Sequence, residues 1–121
     1  MTCVAVTGFG VVSAAGLDRG AFGRSLFEGR SAVGDLMLPR SVGRHSFRAA
    51  QIATLPRRAA DMAGEGRAYD RFSVLALLAA EEAIAAAGLD EADLAGEHTS
   101  VLLGTGIGGA TAIDDSHYGI Y

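Results

Sequence analysis

The sequence lacks several features that would assign a class of protein at once. It contains a single cysteine, Cys3, which excludes an intrachain disulfide framework and a zinc-finger pattern. It has no lysine, and its 10 basic residues, all arginine, are outnumbered by 14 acidic residues, for a net charge of −4. This balance does not fit a basic nucleic-acid-binding protein, so we expect no nucleic-acid partner.

Long apolar runs are also missing. The longest apolar-rich stretch, residues 72–89, carries Glu81 and Glu82 near its middle, which argues against a membrane span. The N-terminus has neither a positively charged start nor a long apolar region, so it does not resemble a signal peptide. We therefore expect a cytoplasmic protein in a reducing compartment, without a membrane partner.

What the chain does have is the composition of one globular domain. Its 121 residues are enough for one modest core, and 50% of them are hydrophobic while only 20% are charged. This composition excludes global disorder. Glycine is abundant, at 17 residues, and it clusters in predicted loops.

Two short apolar segments predict buried strands. Residues 3–7 and residues 100–103 each run directly into a glycine-rich turn. Apolar strands of this kind are usually buried on both faces of a sheet that lies under helices. Cys3 belongs to the first of them, so we expect its thiol to be buried and inert.

Two helices are bounded by capping residues. Asp18 is predicted to cap a helix that runs to about Glu28 and is stopped by Gly29, with its apolar residues on one face. Asp70 is predicted to cap a second helix that ends just before Gly88. Nearly every side of the second helix is apolar, so we expect it to be buried almost all round. Its many alanines would let another backbone approach closely.

The remaining segments are less regular. Residues 31–69 hold six arginines and three acidic residues, and proline and glycine interrupt any long element. We expect an irregular Arg-rich insertion with one short strand near residues 47–52, either solvated or facing an acidic partner. Residues 90–98 predict an acidic loop or short turn, and another helix begins after Gly109. The order of elements is an α/β pattern.

Gly104, Gly106 and Gly109 match the spacing G-x-G-x-x-G after a predicted strand. Such a loop can cradle a pyrophosphate at a helix start, or it can be only a tight strand-to-helix turn. A dinucleotide site also requires a second strand ending in an acidic residue about 20 residues later. Only 12 residues follow Gly109, so the sequence leaves both interpretations open.

The three histidines, His45, His98 and His117, show no metal-ligand spacing. We therefore expect no metal site, and nothing else in the sequence calls for a cofactor.

Three segments, taken together, resemble a known family. They are Val-Thr-Gly-Phe-Gly-Val-Val-Ser at residues 6–13, Asp-Arg-Phe-Ser at residues 70–73 before the alanine-rich helix, and Val-Leu-Leu-Gly-Thr-Gly-Ile-Gly-Gly at residues 101–109. In this order and spacing they resemble the N-terminal part of β-ketoacyl synthases, the condensing enzymes of fatty-acid and polyketide assembly. The resemblance spans nearly the whole chain.

The resemblance implies a partial thiolase-like α/β fold, with residues 1–121 as the N-terminal portion of a ketosynthase domain and most of its first α-β-α-β-α half. The reaction implied is a decarboxylative Claisen condensation between an acyl thioester and malonyl-acyl carrier protein. It needs a cysteine thiolate, two histidines and an oxyanion hole. In the family these groups lie further along, and neither Cys3 nor any histidine here matches their motifs, so we expect no catalytic residue in this chain and no activity from it alone.

The resemblance also implies supporting residues and partners. Ile107 matches the position that lines the far end of the acyl pocket, and Gly106 and Gly108 shape that turn. Arg67 matches a basic position that helps dock the acyl carrier protein, and family members form homodimers or ketosynthase-like heterodimers. Two alternatives stay open, namely a non-catalytic subunit resembling a chain-length factor and a nucleotide-binding domain.

Overall fold

The computed structural model describes residues 3–36, 47–56, 59, 69–110, 113 and 116–117. The chain divides into two compact units, one formed by Val11–Pro56 and the other by Met1–Gly10 with Arg57–Tyr121. Among the described residues, no helix is long and apolar enough to cross a membrane.

The first helix, α1, spans Arg19–Phe27 in the unit Val11–Pro56. Asp18 is its N-cap, and one carboxylate oxygen accepts a hydrogen bond of 2.7 Å from the backbone N–H of Ala21. Gly29 follows the helix with a φ of 63°. The predicted helix and its two end residues are therefore confirmed.

The apolar face predicted for α1 is wrong. Leu26 and Phe27 are 62% and 95% exposed, and the buried residue of the helix is Ser25. The reason is geometric, because Phe22 and Phe27 are five positions apart, which places the two side chains about 140° apart around a helix of 3.6 residues per turn. The three apolar residues expected on one face, Phe22, Leu26 and Phe27, therefore do not form one stripe.

A two-stranded antiparallel sheet completes this unit. Strand β1, Val33–Leu36, pairs with strand β2, Phe47–Ala50, in a register that places Asp35 opposite Arg48. Strand β2 confirms the strand predicted near residues 47–52. Strand β1 was not predicted, because Gly34 and Asp35 are residue types depleted in strands and the pairing that stabilises them is not local in sequence.

The second unit is built on helix α2, Arg71–Ala87. It ends at Gly88, whose φ is 70°, and the N–H of the following Leu89 donates to the carbonyl of Ile84 at 3.2 Å. The extent of this helix is confirmed. Residues 90–98 contain the four-residue helix α3, Glu91–Leu94, where Asp90 and Asp93 form a capping box.

The prediction that helix α2 is buried almost all round is wrong. Val74 is its buried residue, most of the other side chains are half-buried, and Leu77 is 41% exposed. One side of the helix does receive a close neighbour, because Gly8 and Gly10 pass directly along its alanines. The prediction that these alanines admit another backbone is confirmed.

The two buried strands predicted at residues 3–7 and 100–103 are not formed. Neither segment is a strand, and Val4, Val101 and Leu102 are 92%, 92% and 91% exposed. Cys3 is exposed as well, so its predicted burial is also wrong. A strand of this type depends on neighbouring strands and on helices over both faces. In the described parts of the chain, the paired strands are β1 and β2 only.

Candidate functional site

An open cavity of about 210 Å³ lies where helix α2 begins. Its walls come from two places in the chain, the first turns of α2 and the glycine-rich turn that follows residue 103. The lining residues are Asp70, Arg71, Phe72, Leu75, Ile107, Gly109 and Ala110. All of them belong to the same compact unit.

The glycine-rich turn is held closely on the α2 side at two positions. A Cβ placed on Gly108 would lie 3.0 Å from Cζ of Phe72, and one placed on Gly109 would lie 2.8 Å from a carboxylate oxygen of Asp70. Gly109 also has a φ of 77°, which side chains rarely adopt. A side chain at position 108 or 109 would therefore require the side chain of Phe72 or Asp70 to move.

Ile107 is the bulky residue within this turn. It is 82% exposed and lines the cavity, so it is not a core residue. Gly106, directly before it, has no heavy atom near the place a Cβ would occupy. The side chain of Ile107 thus stands in open space at the cavity, beside glycines that leave it uncovered.

Asp70 does not cap α2 in the way the sequence predicts. It occupies the N-cap position, but its side chain makes no capping hydrogen bond. Only its backbone carbonyl contributes, accepting from the N–H of Val74 at 3.1 Å. The carboxylate lies instead against Gly109, which is possible because that position has no side chain.

The structure places some of the residues predicted for the site at the cavity and others away from it. Ile107 lines the cavity, whereas Gly106 and Gly108 are not among its lining residues. Gly108 packs on Phe72. Arg67, the predicted docking residue, lies outside the described residues. Sequence reasoning missed the pairing of Asp70 with Gly109, because 39 positions separate them and no local pattern reports that distance.

Groups with covalent or metal chemistry are not gathered here. Cys3, His98 and His117 are all exposed and none of them lines the cavity. Among the described residues, no cluster of three or more side chains could hold a metal ion. The cavity offers apolar side chains from Phe72, Leu75 and Ile107, and it is also lined by two residues of opposite charge, Asp70 and Arg71.

Comparison with known proteins agrees with the family that the three motifs indicate. The family model for the N-terminal domain of β-ketoacyl synthases matches residues 1–119. The chain belongs to the β-ketoacyl synthase family, whose members are condensing acyltransferases. Membership implies a thiolase-like fold, of which the described residues contain helices and a two-stranded sheet.

Individual relatives extend this result. The chain is 34% identical to nodulation protein E of Rhizobium sp. (strain N33) over 94% of its own length. It is 32% identical to the tetracenomycin polyketide synthase ketoacyl synthase alpha subunit of Streptomyces glaucescens over 92% of its length. It spans only 28% and 26% of those two proteins. No solved structure matches the chain significantly.

Proposed function

We propose that the whole protein condenses an acyl thioester with malonyl-acyl carrier protein by decarboxylative Claisen condensation, and that this chain supplies the closed end of its acyl pocket. The observation that carries this proposal is the position of Ile107 in a cavity at the start of α2, beside Phe72 and Leu75, in a chain of the β-ketoacyl synthase family. Ile107, Gly106 and Gly108 are the residues proposed for the pocket.

The covalent steps take place on residues beyond those of this chain. The acyl group is held as a thioester on a cysteine, malonyl decarboxylation releases carbon dioxide, and the resulting carbanion attacks the thioester carbonyl as the thiolate leaves. The residues of this chain contribute the shape of the acyl pocket and not its covalent chemistry. The cavity, at about 210 Å³, is smaller than the roughly 300–1,000 Å³ of a complete ligand pocket, which suits the end of a chain better than a whole substrate.

The proposal includes the wider fold. The chain would form most of the first half of the thiolase-like fold, with residues 31–69 as an insertion in it. The exposure of the consecutive residues Val101, Leu102 and Leu103 supports this, because contiguous exposed apolar residues are ordinarily covered by another surface. In the whole protein, residues 3–7 and 100–103 are then strands of a covered sheet.

Partners follow from the same proposal. We propose that the whole protein is a dimer and receives its substrates from an acyl carrier protein, with Arg67 among the docking residues. Acyl carrier proteins are acidic, and residues 31–69 carry six arginines against three acidic residues. Replacing Arg67 by Glu should raise KM for the carrier-bound substrate and leave kcat nearly unchanged.

The nucleotide-binding alternative fits less well. The third glycine of the G-x-G-x-x-G spacing, Gly109, lies against the carboxylate of Asp70. A pyrophosphate at this turn would be placed beside the like charge of Asp70, with Arg71 as the one cation among the lining residues. The alternative of a non-catalytic subunit differs in residues beyond this chain, and the Streptomyces glaucescens relative is named a ketoacyl synthase alpha subunit.

The test is turnover by the whole protein. Supplied with acyl-carrier and malonyl-carrier proteins, it should form a β-ketoacyl product and release carbon dioxide, whereas the 121-residue chain alone should form none. Decarboxylation without a condensed product would favour the non-catalytic subunit. Failure of both, together with saturable binding of a dinucleotide, would overturn the proposal.

A further inference from the structure

The carboxylate of Asp70 fills the space that a side chain at position 109 would need. A Cβ placed on Gly109 would lie 2.8 Å from Oδ2 of Asp70 and 3.5 Å from its Cγ. A contact of that length is too short for real side chains, and close-packed structures do not absorb it without a shift. Asp70 and the backbone of the glycine turn are therefore in direct contact.

A second contact ties the same turn to the same helix. Gly108 packs on Phe72, with 3.0 Å between a Cβ placed on the glycine and Cζ of the ring. Asp70 and Phe72 flank Arg71 at the start of α2, so one short segment contacts both glycines. Ile107 comes directly before those two glycines, and its position depends on where they are held.

The sign of the charge on Asp70 also suits the turn that it lies against. The carbonyl of Gly109 accepts a hydrogen bond of 3.0 Å from the N–H of Ile113, and Ala110 is helical, so a helical turn begins here. The start of a helical turn carries partial positive charge, which attracts a carboxylate. Asp70 makes no capping hydrogen bond to α2, so its charge is available to this second turn.

We propose that Asp70 is a positioning residue, whose carboxylate holds the turn at residues 108–109 against α2 and so fixes where Ile107 stands in the cavity. The consequence for substrate selection rests on the proposed function, in which Ile107 closes the acyl pocket. Asp70 then determines the accepted acyl length by acting through Ile107.

The first experiment is amide hydrogen exchange on the whole protein, with Asp70→Asn and Asp70→Ala. Exchange in residues 104–110 should rise roughly two- to fivefold, the range expected for losing one carboxylate beside a helix start. Exchange in residues 104–110 should rise more than exchange in the first turn of α2, where Asp70 makes no capping hydrogen bond. Asp18→Asn is the matched control, an aspartate that caps its own helix. Unchanged exchange in residues 104–110 with Asp70→Ala would overturn the proposal.

The second experiment uses two glycines with matching backbone. Gly88 and Gly109 have φ values of 70° and 77°, but nothing lies within 4 Å of a Cβ placed on Gly88. Gly109→Ala should therefore lower Tm more than Gly88→Ala does. Adding Asp70→Ala should recover part of the loss at Gly109 and none at Gly88. An equal effect of Asp70→Ala on both glycine variants would refute the contact.

Product analysis separates this inference from the proposed function. If both hold, Asp70→Asn broadens the distribution of product chain lengths, while Asp18→Asn does not. If exchange rises but neither Asp70→Asn nor Ile107→Phe changes product length, Asp70 is a positioning residue and the acyl-pocket assignment fails. If Ile107→Phe shortens the products but exchange does not respond to Asp70, the pocket stands and the positioning role is wrong.

Discussion

Gly10 lies so close to Ala79 of helix α2 that the two backbones are in contact. A Cβ placed on Gly10 would stand 2.9 Å from the carbonyl carbon of Ala79 and nearer still to its oxygen. Gly8 repeats the contact one turn further along the helix, where its Cβ would lie closest to the carbonyl oxygen of Ala83 and 2.7 Å from the backbone nitrogen of Ala87. The N-terminal segment thus follows a groove that alanine side chains leave open.

Gly10→Ala should destabilise the whole protein, because the added methyl group collides with backbone that has no freedom to turn away. Overpacking of this kind costs about 1–3 kcal/mol. Urea or thermal unfolding measures the loss. Gly23→Ala is the control, since Gly23 is helical with nothing near its Cβ position, and it should stabilise by about 0.5–1 kcal/mol. Equal effects from the two substitutions would contradict the close approach.

Asp18→Ala should remove the cap of α1 and lower the free energy of unfolding by about 0.5–2 kcal/mol. The hydrogen bond from Ala21 to the carboxylate is the interaction lost. Asp18→Asn should recover most of the stability, because an amide oxygen accepts the same hydrogen bond. Asparagine behaving like alanine would show that charge, and not the cap, is responsible.

Ile107→Phe should shorten the longest acyl chain that the whole protein accepts, with short substrates nearly unaffected. The side chain lines the cavity, so the larger ring should fill pocket space and Tm should change little. Product lengths and Tm are measured together. Ile113→Phe is the control, an exposed isoleucine that does not line the cavity. A lowered Tm with unchanged product length would refute the pocket assignment.

The 121-residue chain on its own should associate and bind an apolar dye. Val101 and Leu102 are 92% and 91% exposed, and exposed apolar patches drive association. Replacing both by serine should reduce dye binding, whereas Leu94→Ser, at a residue only 36% exposed, should have a smaller effect. A monomer with a sharp thermal transition and no dye binding would contradict this prediction.

The elements that the sequence predicted well are those set by neighbouring residues. Asp18 and Gly88 mark helix ends through contacts within a few positions, so local patterns are sufficient for them. Residues 3–7 and 100–103 have the composition of buried strands, but a strand depends on distant partners that composition does not supply. Local pattern was therefore reliable for helices and misleading for these two segments.

The candidate site was predictable only in part, for a related reason. Resemblance to a family pointed to Ile107, and the structure brings that residue to a cavity. The sequence predicts Asp70 as a helix cap, because an aspartate before an apolar helix usually is one. Its contact with Gly109 depends on how the start of α2 meets the turn at residues 108–109. A pattern of neighbouring residues does not report such a contact.

The contact between Gly10 and Ala79 also determines when the N-terminal segment can dock during synthesis on the ribosome. The two residues are 69 positions apart in the sequence. At about 5–20 residues per second, the N-terminal segment emerges roughly 3–14 seconds before Ala79 has been added. During that interval Gly8 and Gly10 have no helix to pack against, and docking waits until most of α2 has left the exit tunnel. The N-terminal segment is therefore synthesised early but docks on α2 late.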